Sequence, residues 1–263
     1  MRFAKAGTII FAPQAKPDSK LQKLLRFLKA VTPPILWNGI IGVAGSETRR
    51  LPENKPGYKP GNKPANKPEN KEEEGEKGPS WYDNSFDRAA HWKFHYSQSR
   101  YYFLWAVIAD RITRIREDSV LEIGCGSGQL ACLLRDTGVK NYNGFDFSPK
   151  RIAHAKKICS DFTFSNEDAF ETDLFNSCDY SIVICTEFLE HVERDLDVLG
   201  KIRPGTRFYG TVPNFPYTSH VRHFSSRNEV LTRYRPCFTE IQVDSFVENE
   251  RGKTYFLIEG LIK

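Results

Sequence analysis

The segment CTEFLEHV, residues 185–192, gathers Glu187, Glu190 and His191 into one short stretch. Two carboxylates and an imidazole have three uses: to hold a divalent cation, to move a proton, or to line a pocket. A helix starting at Phe188 would set Glu187 and Glu190 one turn apart and Glu187 and His191 at i and i+4. That donor set suits divalent cations. His191 alone, with an intrinsic pKa near neutrality, suits general-base work. The structural use puts Glu187 beside a ligand and ties His191 to a neighbouring loop. All three stay open on the residues alone.

A second stretch, VLEIGCGSGQL, carries a glycine-rich turn with Gly124, Gly126 and Gly128. Glycines permit a tight turn and let the backbone approach a nucleotide without side-chain obstruction. A dinucleotide fingerprint would place its third glycine where Gln129 stands, so the spacing is G-x-G-x-G instead. Glu122 lies two residues ahead of the turn, where a carboxylate repels a pyrophosphate and suits a ligand bearing positive charge.

Positioning such residues takes a sheet. Apolar, strand-like runs over 120–124, 142–145, 162–164, 180–185 and 206–212 alternate with helical patterns starting at Gln129, Pro149, Phe188 and Ser226. An aromatic-rich helix over 99–116 precedes them. Alternation of this kind predicts right-handed βαβ units, hence an α/β, Rossmann-like, mostly parallel sheet with helices on both faces. Two further runs, 239–246 and 255–262, are joined by the short polar turn ENERGK and predict an antiparallel C-terminal edge hairpin. In all, seven strands are expected, with the glycine turn at the carboxyl end of a central strand, where open α/β sheets bind ligands.

With that order of elements, VLEIGCGSGQL resembles motif I of the class I S-adenosylmethionine-dependent methyltransferases, and the resemblance extends from the aromatic helix to the C-terminus. It implies that Glu122, Gly124, Cys125, Gly126 and Gly128 border the cofactor. YNGFDFS resembles the second-strand motif, which makes Asp146 the ribose-binding acid and sets Phe147 against the adenine. A carboxylate accepts two hydroxyl hydrogen bonds at once, which fits that role. SNEDAF resembles the motif after the third strand, implying that Asp168 and the backbone of Ala169 meet the adenine amino group. Glu187 then lies at the cofactor's edge, and Tyr96 or Arg100 is expected at the methionine carboxylate.

The segment after the fourth strand borders the transferable methyl in this family. The Asn/Asp-Pro-Pro-aromatic motif of amino-methylating DNA enzymes is missing there, so DNA is not expected as acceptor. Glu187-x-x-Glu190-His191 resembles the ubiquinone-pathway O-methyltransferases and the small-RNA 2′-O-methyltransferases, in which the acids and histidine hold a divalent metal. The same pattern also occurs in relatives for which none is implied, so no metal is assigned and His191 stands as the candidate base. TVPNFPYTSHVRHFSSRNEVLTRY resembles a stretch that walls the acceptor pocket in small-molecule members. There Phe215, Tyr217 and Phe224 supply apolar surface, and His220, Arg222 and His223 polar groups. The aromatic segment 81–105 is expected as the opposite wall, with Phe103, Leu104 and Trp105 in the core. Ser225 or Ser226 with Glu229 predicts a helix cap.

Outside this domain, 81–263, the chain changes character. Residues 51–80 repeat a Lys-Pro unit with almost nothing to bury, which predicts an extended, solvated linker without secondary structure. Residues 1–50 contain a basic amphipathic helix with leucines at 21, 24, 25 and 28, stopped by Pro33-Pro34. Either that segment makes peripheral membrane contact through residues 20–45, or it packs on the domain or a partner. Less specifically, HYSQSRYYFLWAVIADRI and LLRFLKAVTPPIL resemble methyltransferases of bacterial surface-polysaccharide synthesis.

Composition narrows the classes further. The 263 residues carry a net charge of +5, with much of the lysine before residue 80, which argues against a general nucleic-acid surface. Six cysteines without a C-x-x-C pair suit a reducing, cytoplasmic setting. No apolar run approaches the roughly 20 residues needed to span a bilayer. The expectation is a cytoplasmic or membrane-peripheral enzyme. It would transfer a methyl group from S-adenosylmethionine to an oxygen of a small molecule or sugar, including a lipid-linked glycan. The alternatives are an RNA ribose 2′-O-methyltransferase and a non-catalytic cofactor-binding scaffold of a surface-glycan assembly. Oligomeric state is left open.

Overall fold

The computed structural model describes residues 75–115, 119–249 and 252–263. They fall within one compact unit, Asn62–Lys263. The expected N-terminal helix, its membrane contact and most of the Lys/Pro-rich linker lie outside the described residues. Where the linker expectation is described it is two residues too long, because Pro79 and Ser80 open the first helix, α1 (Pro79–Arg88). Proline at a first helical turn forfeits no hydrogen bond.

The elements then run α2 (Tyr102–Arg114), β1 (Ser119–Ile123), α3 (Gln129–Asp136), β2 (Asn141–Asp146), α4 (Pro149–Ile158), β3 (Thr163–Asn166), α5 (Leu174–Ser177) and β4 (Ile182–Cys185). They continue with α6 (Asp195–Leu199), β5 (Arg207–Pro213), α7 (Arg227–Tyr234), β6 (Phe238–Val247) and β7 (Thr254–Ile262). The seven strands form one sheet in the order β3-β2-β1-β4-β5-β7-β6. β1 to β5 pair in parallel, and β7 runs antiparallel to both β5 and β6. The Rossmann-like sheet with an antiparallel C-terminal edge is as the sequence predicts.

Side chains on successive strand residues point to opposite faces, and here both faces are covered. Ile182 and Ile184 of β4 join the core containing Ile108, Ile112 and Leu130, whereas Val183 and Cys185 join that containing Phe145, Phe208 and Val230. Burial on both sides accounts for the unbroken apolar run of β4. The chain leaves β1 outward to β2 and β3 and returns to β4 on the other side, so β1 and β4 flank the switch point. Open α/β sheets bind ligands there, beyond the strands' carboxyl ends.

The predicted helix from Phe188 does not form. A single 3-10 turn, Leu189–His191, follows β4, and the next α-helix is only Asp195–Leu199. The chain is diverted by Glu187, whose φ of 53° is the only positive value at a non-glycine among the described residues. Such a conformation costs roughly 1–2 kcal/mol for a residue with a Cβ. The predicted cap does form. Ser226 Oγ accepts from Glu229 N–H, and the Glu229 carboxylate accepts from Ser225 N–H at 2.7 Å.

Candidate active site

Two adjoining clefts open at the switch point. The first is lined by Asp146 and Phe147 after β2, Asp168 and Ala169 after β3, and Val192. The second extends from the glycine turn to Arg100, Tyr101, Phe215, Tyr217 and His220. Tyr82, Gly124, Arg151, Glu187 and His191 border both.

The glycine turn is held to β2. Cys125 N–H donates to Phe145 O at 3.0 Å, and Gly126 N–H to Asp146 Oδ2 at 3.0 Å. The other Asp146 oxygen accepts from Ser148 N–H at 2.8 Å. Gly124 has φ 68°, and a Cβ there would stand 2.7 Å from the Phe188 ring, so the turn and the segment after β4 interlock only through glycine. Asp168 closes its own loop by accepting from Phe170 N–H at 2.8 Å, leaving Ala169 buried against the cleft.

α1 roofs the first cleft. Asp83 Oδ1 accepts from Ser148 Oγ at 2.5 Å and from Lys150 N–H at 3.3 Å at the start of α4, and Asp87 pairs with Lys150. This docking brings the Tyr82 ring to 5.2 Å from Phe147 and 6.0 Å from His191.

The residues after β4 are gathered by their loop rather than by a helix face. Glu187 N–H donates to Thr211 Oγ1 at 3.0 Å, and that hydroxyl donates to Glu187 Oε1 at 3.2 Å. Burial pushes the Glu187 carboxyl up to about 7. Glu190 is fully buried, and burial together with the charge of Glu187 raises it well above the carboxylate range. Neither Glu190 oxygen meets hydrogen-bond geometry with any partner.

His191 Nδ1 lies 2.8 Å from Ser219 O. A carbonyl only accepts, so Nδ1 carries the proton and Nε2 keeps a lone pair. Burial holds the ring's pKa down to about 3, so it is neutral at physiological pH. His220 is arranged alike, with Nδ1 at 3.1 Å from Phe215 O and its ring 4.8 Å from that of His191.

Most expected site residues reach the clefts, and the exceptions have physical reasons. Tyr96 borders neither cleft; its hydroxyl donates to Asp136 at 2.9 Å on the far end of α3. Gly128 also borders neither. It caps α3 in a left-handed conformation, φ 81°, and a Cβ there would stand 2.8 Å from Ala155 Cβ, so its service is helix packing. Glu122 borders the second cleft but accepts from Tyr142 Oη at 2.5 Å, and burial raises it to about 8. Near neutral pH this favours its protonated form over the carboxylate that the sequence implies. Phe224 is core, and Arg222 spends its guanidinium on the carbonyls of Leu189, Val192 and Glu193. Neither Arg222 nor His223 reaches the clefts, whereas core-assigned Trp105 also forms part of the second cleft's lining.

Two contributors escaped sequence reading. Thr211 sits inside a buried strand with nothing local to mark its hydroxyl. Arg151, following Lys150 on α4, carries the usual mark of a solvated helix face. Tyr82 of α1 and Trp92 of the turn after it cover its guanidinium once they dock.

The family described as "Methyltransferase domain" matches residues 94–233, more than half of the chain. This chain therefore belongs to the methyltransferase domain family. No curated protein matches the sequence. Among solved structures, the fold is similar to that of the Burkholderia thailandensis 1,6-didemethyltoxoflavin-N1-methyltransferase with bound S-adenosylhomocysteine. The TM-score is 0.54 at 17% identity over 71% of this chain and 91% of that one. It is also similar to the N-methyltransferase NodS of Bradyrhizobium japonicum in complex with S-adenosylhomocysteine, at TM-score 0.54 and 15% identity over 69% and 98%. A third similar structure is the magnesium protoporphyrin IX methyltransferase of Synechocystis with bound S-adenosylhomocysteine, at TM-score 0.54 and 15% identity over 70% and 97%. Among the described residues, no helix is long and apolar enough to cross a membrane.

Proposed function

We propose that the chain transfers a methyl group from S-adenosylmethionine to an oxygen of a small molecule or sugar. The observation that carries this reading is His191, a neutral imidazole with a free Nε2 at the border of the two clefts. A sulfonium donor is already activated, so the enzyme's task is to align the acceptor, exclude water and take up a hydroxyl proton. In this reading Asp146 meets the ribose, Phe147 and Ala169 the adenine, and the glycine turn the chain leading to the sulfonium. The second cleft is walled by Trp81, Trp92, Tyr101, Phe215 and Tyr217, flat apolar faces interspersed with polar groups that suit a sugar or ring.

The test supplies methyl-labelled S-adenosylmethionine with nucleotide sugars, lipid-linked glycans and short RNAs. Label entering an acceptor oxygen supports the proposal, with His191→Gln lowering kcat by about 100-fold or more while cofactor affinity holds. Label on nitrogen, or on RNA alone, refutes it. Peripheral membrane contact through residues 20–45 belongs to the lipid-linked variant, and unchanged vesicle binding after removal of residues 1–50 counts against it.

A metal-assisted second reading is favoured by one cluster. Ligand atoms of Glu190, His191 and His220 all lie within 4.8 Å of one another. Both imidazoles have Nδ1 committed to carbonyls, and both Glu190 oxygens lack partners. A carboxylate with two imidazole nitrogens fits a divalent transition ion. When bound, such an ion supplies Lewis acidity toward an acceptor hydroxyl. The readings exclude each other at His191, whose Nε2 serves either a proton or an ion. Equilibrium dialysis with Mn²⁺ or Zn²⁺ separates them: stoichiometric binding abolished by Glu190→Gln supports the ion, and no binding supports the base.

A further inference from the structure

Arg151 is the most unusual cation of the site. It is only 8% exposed, yet its Nε finds no acceptor. Among the described residues no carboxylate comes within the 4.0 Å of an ion pair with it. Its guanidinium lies between two rings instead, 5.0 Å from the centre of Tyr82 and 4.5 Å from that of Trp92. Cation–π contact replaces part of the hydration that the buried charge gives up, but the ring faces offer no acceptor for the guanidinium N–H groups, and Nε stays unpaired. Asp146 and Asp83 act on it electrostatically. Asp146 accepts instead from the Gly126 and Ser148 N–H groups, and Asp83 Oδ1 from Ser148 Oγ and Lys150 N–H.

The guanidinium also has a definite address. It borders both clefts, and its Nη1 is 3.8 Å from the place a Cβ on Gly126 would take. An anion resting on the glycine turn would therefore meet it. The other cations of the second cleft are placed differently. Arg100 donates to Tyr101 Oη at 2.5 Å and has Glu187 among its neighbours, and Lys253 lies over Phe215 on the far wall.

We propose that Arg151, clamped between Tyr82 and Trp92, is the anchor for the α-carboxylate of the cofactor's amino-acid tail. This rests on S-adenosylmethionine being the donor. Asp146 and Arg151 then flank one glycine turn, the acid toward the ribose and the cation toward the carboxylate. A nucleoside with a zwitterionic tail is thereby distinguished from the nucleoside alone. The clamp also couples ligand binding to α1, because Tyr82 belongs to that helix.

The experiment measures, by calorimetry on the full chain, the affinities of S-adenosylhomocysteine and of 5′-methylthioadenosine, which keeps the adenosine thioether and lacks the amino acid. For Arg151→Met the expected result is a 10- to 100-fold loss for S-adenosylhomocysteine, the scale of charged hydrogen bonds, with methylthioadenosine changed less than threefold. Arg151→Lys, which keeps the charge and is less disruptive to the fold, is expected to fall between, and Trp92→Leu to reproduce part of the selective loss. Equal losses for both ligands would place Arg151 at the nucleoside half or in the fold and overturn the proposal, as would no loss for either. Wild type binding neither ligand would instead refute the cofactor assignment itself.

Discussion

Thr211 of β5 holds Glu187 from two sides, its hydroxyl accepting from the Glu187 backbone N–H and donating to the Glu187 carboxylate. That bond pair pins the left-handed residue that turns the chain after β4 and so sets where Glu190 and His191 go. Thr211→Val keeps the shape and removes both bonds, leaving a buried donor unpaired. The expected loss of stability in urea unfolding is about 1–3 kcal/mol, with cofactor affinity falling as the loop relaxes. Thr211→Ser is expected to retain both.

Glu122 supplies a pH test. Burial raises its folded pKa to about 8, above the ordinary 4.5, so over that window the folded protein holds a proton that the unfolded chain has lost. Its stabilising share is complete below 4.5 and is lost as pH rises through about 8. The slope is at most about 1.4 kcal/mol per pH unit. Glu122→Gln, compared with wild type in urea at pH 5 and pH 7.5, is expected to gain relative stability at the higher pH. No change in the difference would refute a protonated Glu122.

The same group predicts different proton balances for two ligands. A sulfonium favours the ionised carboxylate, so S-adenosylmethionine is expected to release a proton on binding near pH 7, and neutral-sulfur S-adenosylhomocysteine to release less. Calorimetry in buffers of unlike ionisation enthalpy reads the difference directly.

Two glycines of one turn are expected to fail differently. Gly128→Ala forces a Cβ to 2.8 Å from Ala155 Cβ at a positive φ, and overpacking of this sort costs about 1–3 kcal/mol. At Gly126 the nearest heavy atom to a new Cβ is Arg151 Nη1 at 3.8 Å, so Gly126→Ala meets little but backbone strain, roughly 1–2 kcal/mol. The expected pattern is lower thermal stability for the first and a larger loss of S-adenosylhomocysteine affinity for the second.

Tyr96→Phe tests a residue the sequence put at the cofactor. Its hydroxyl serves Asp136, and a partly exposed hydrogen bond of that kind is worth about 1 kcal/mol or less. Affinity for S-adenosylhomocysteine is expected to stay within twofold, whereas a tenfold loss would return Tyr96 to the site.

The βαβ order, the seven strands and the glycine turn were legible in the sequence because each depends on local periodicity and backbone permission. Val183 alternates with Ile184 whatever lies beyond, and Gly124 is needed wherever that turn is made. Asp146, Phe147 and Ala169 were expected through the resemblance of YNGFDFS and SNEDAF to the family's motifs, and the structure places all three on the first cleft. Tertiary structure decided the rest. The spacing of Glu187, Glu190 and His191 suggested a helix face, but Thr211, from another strand, stabilises a left-handed turn and gathers Glu190 and His191 with His220 instead. Burial raises the Glu122 carboxyl to about 8, and it leaves the Arg151 cation with no acceptor for its Nε. Their burial, against Tyr142 of β2 for Glu122 and between Tyr82 and Trp92 for Arg151, is a property of segments that meet only after folding, and it is burial that sets the free energy of a charge.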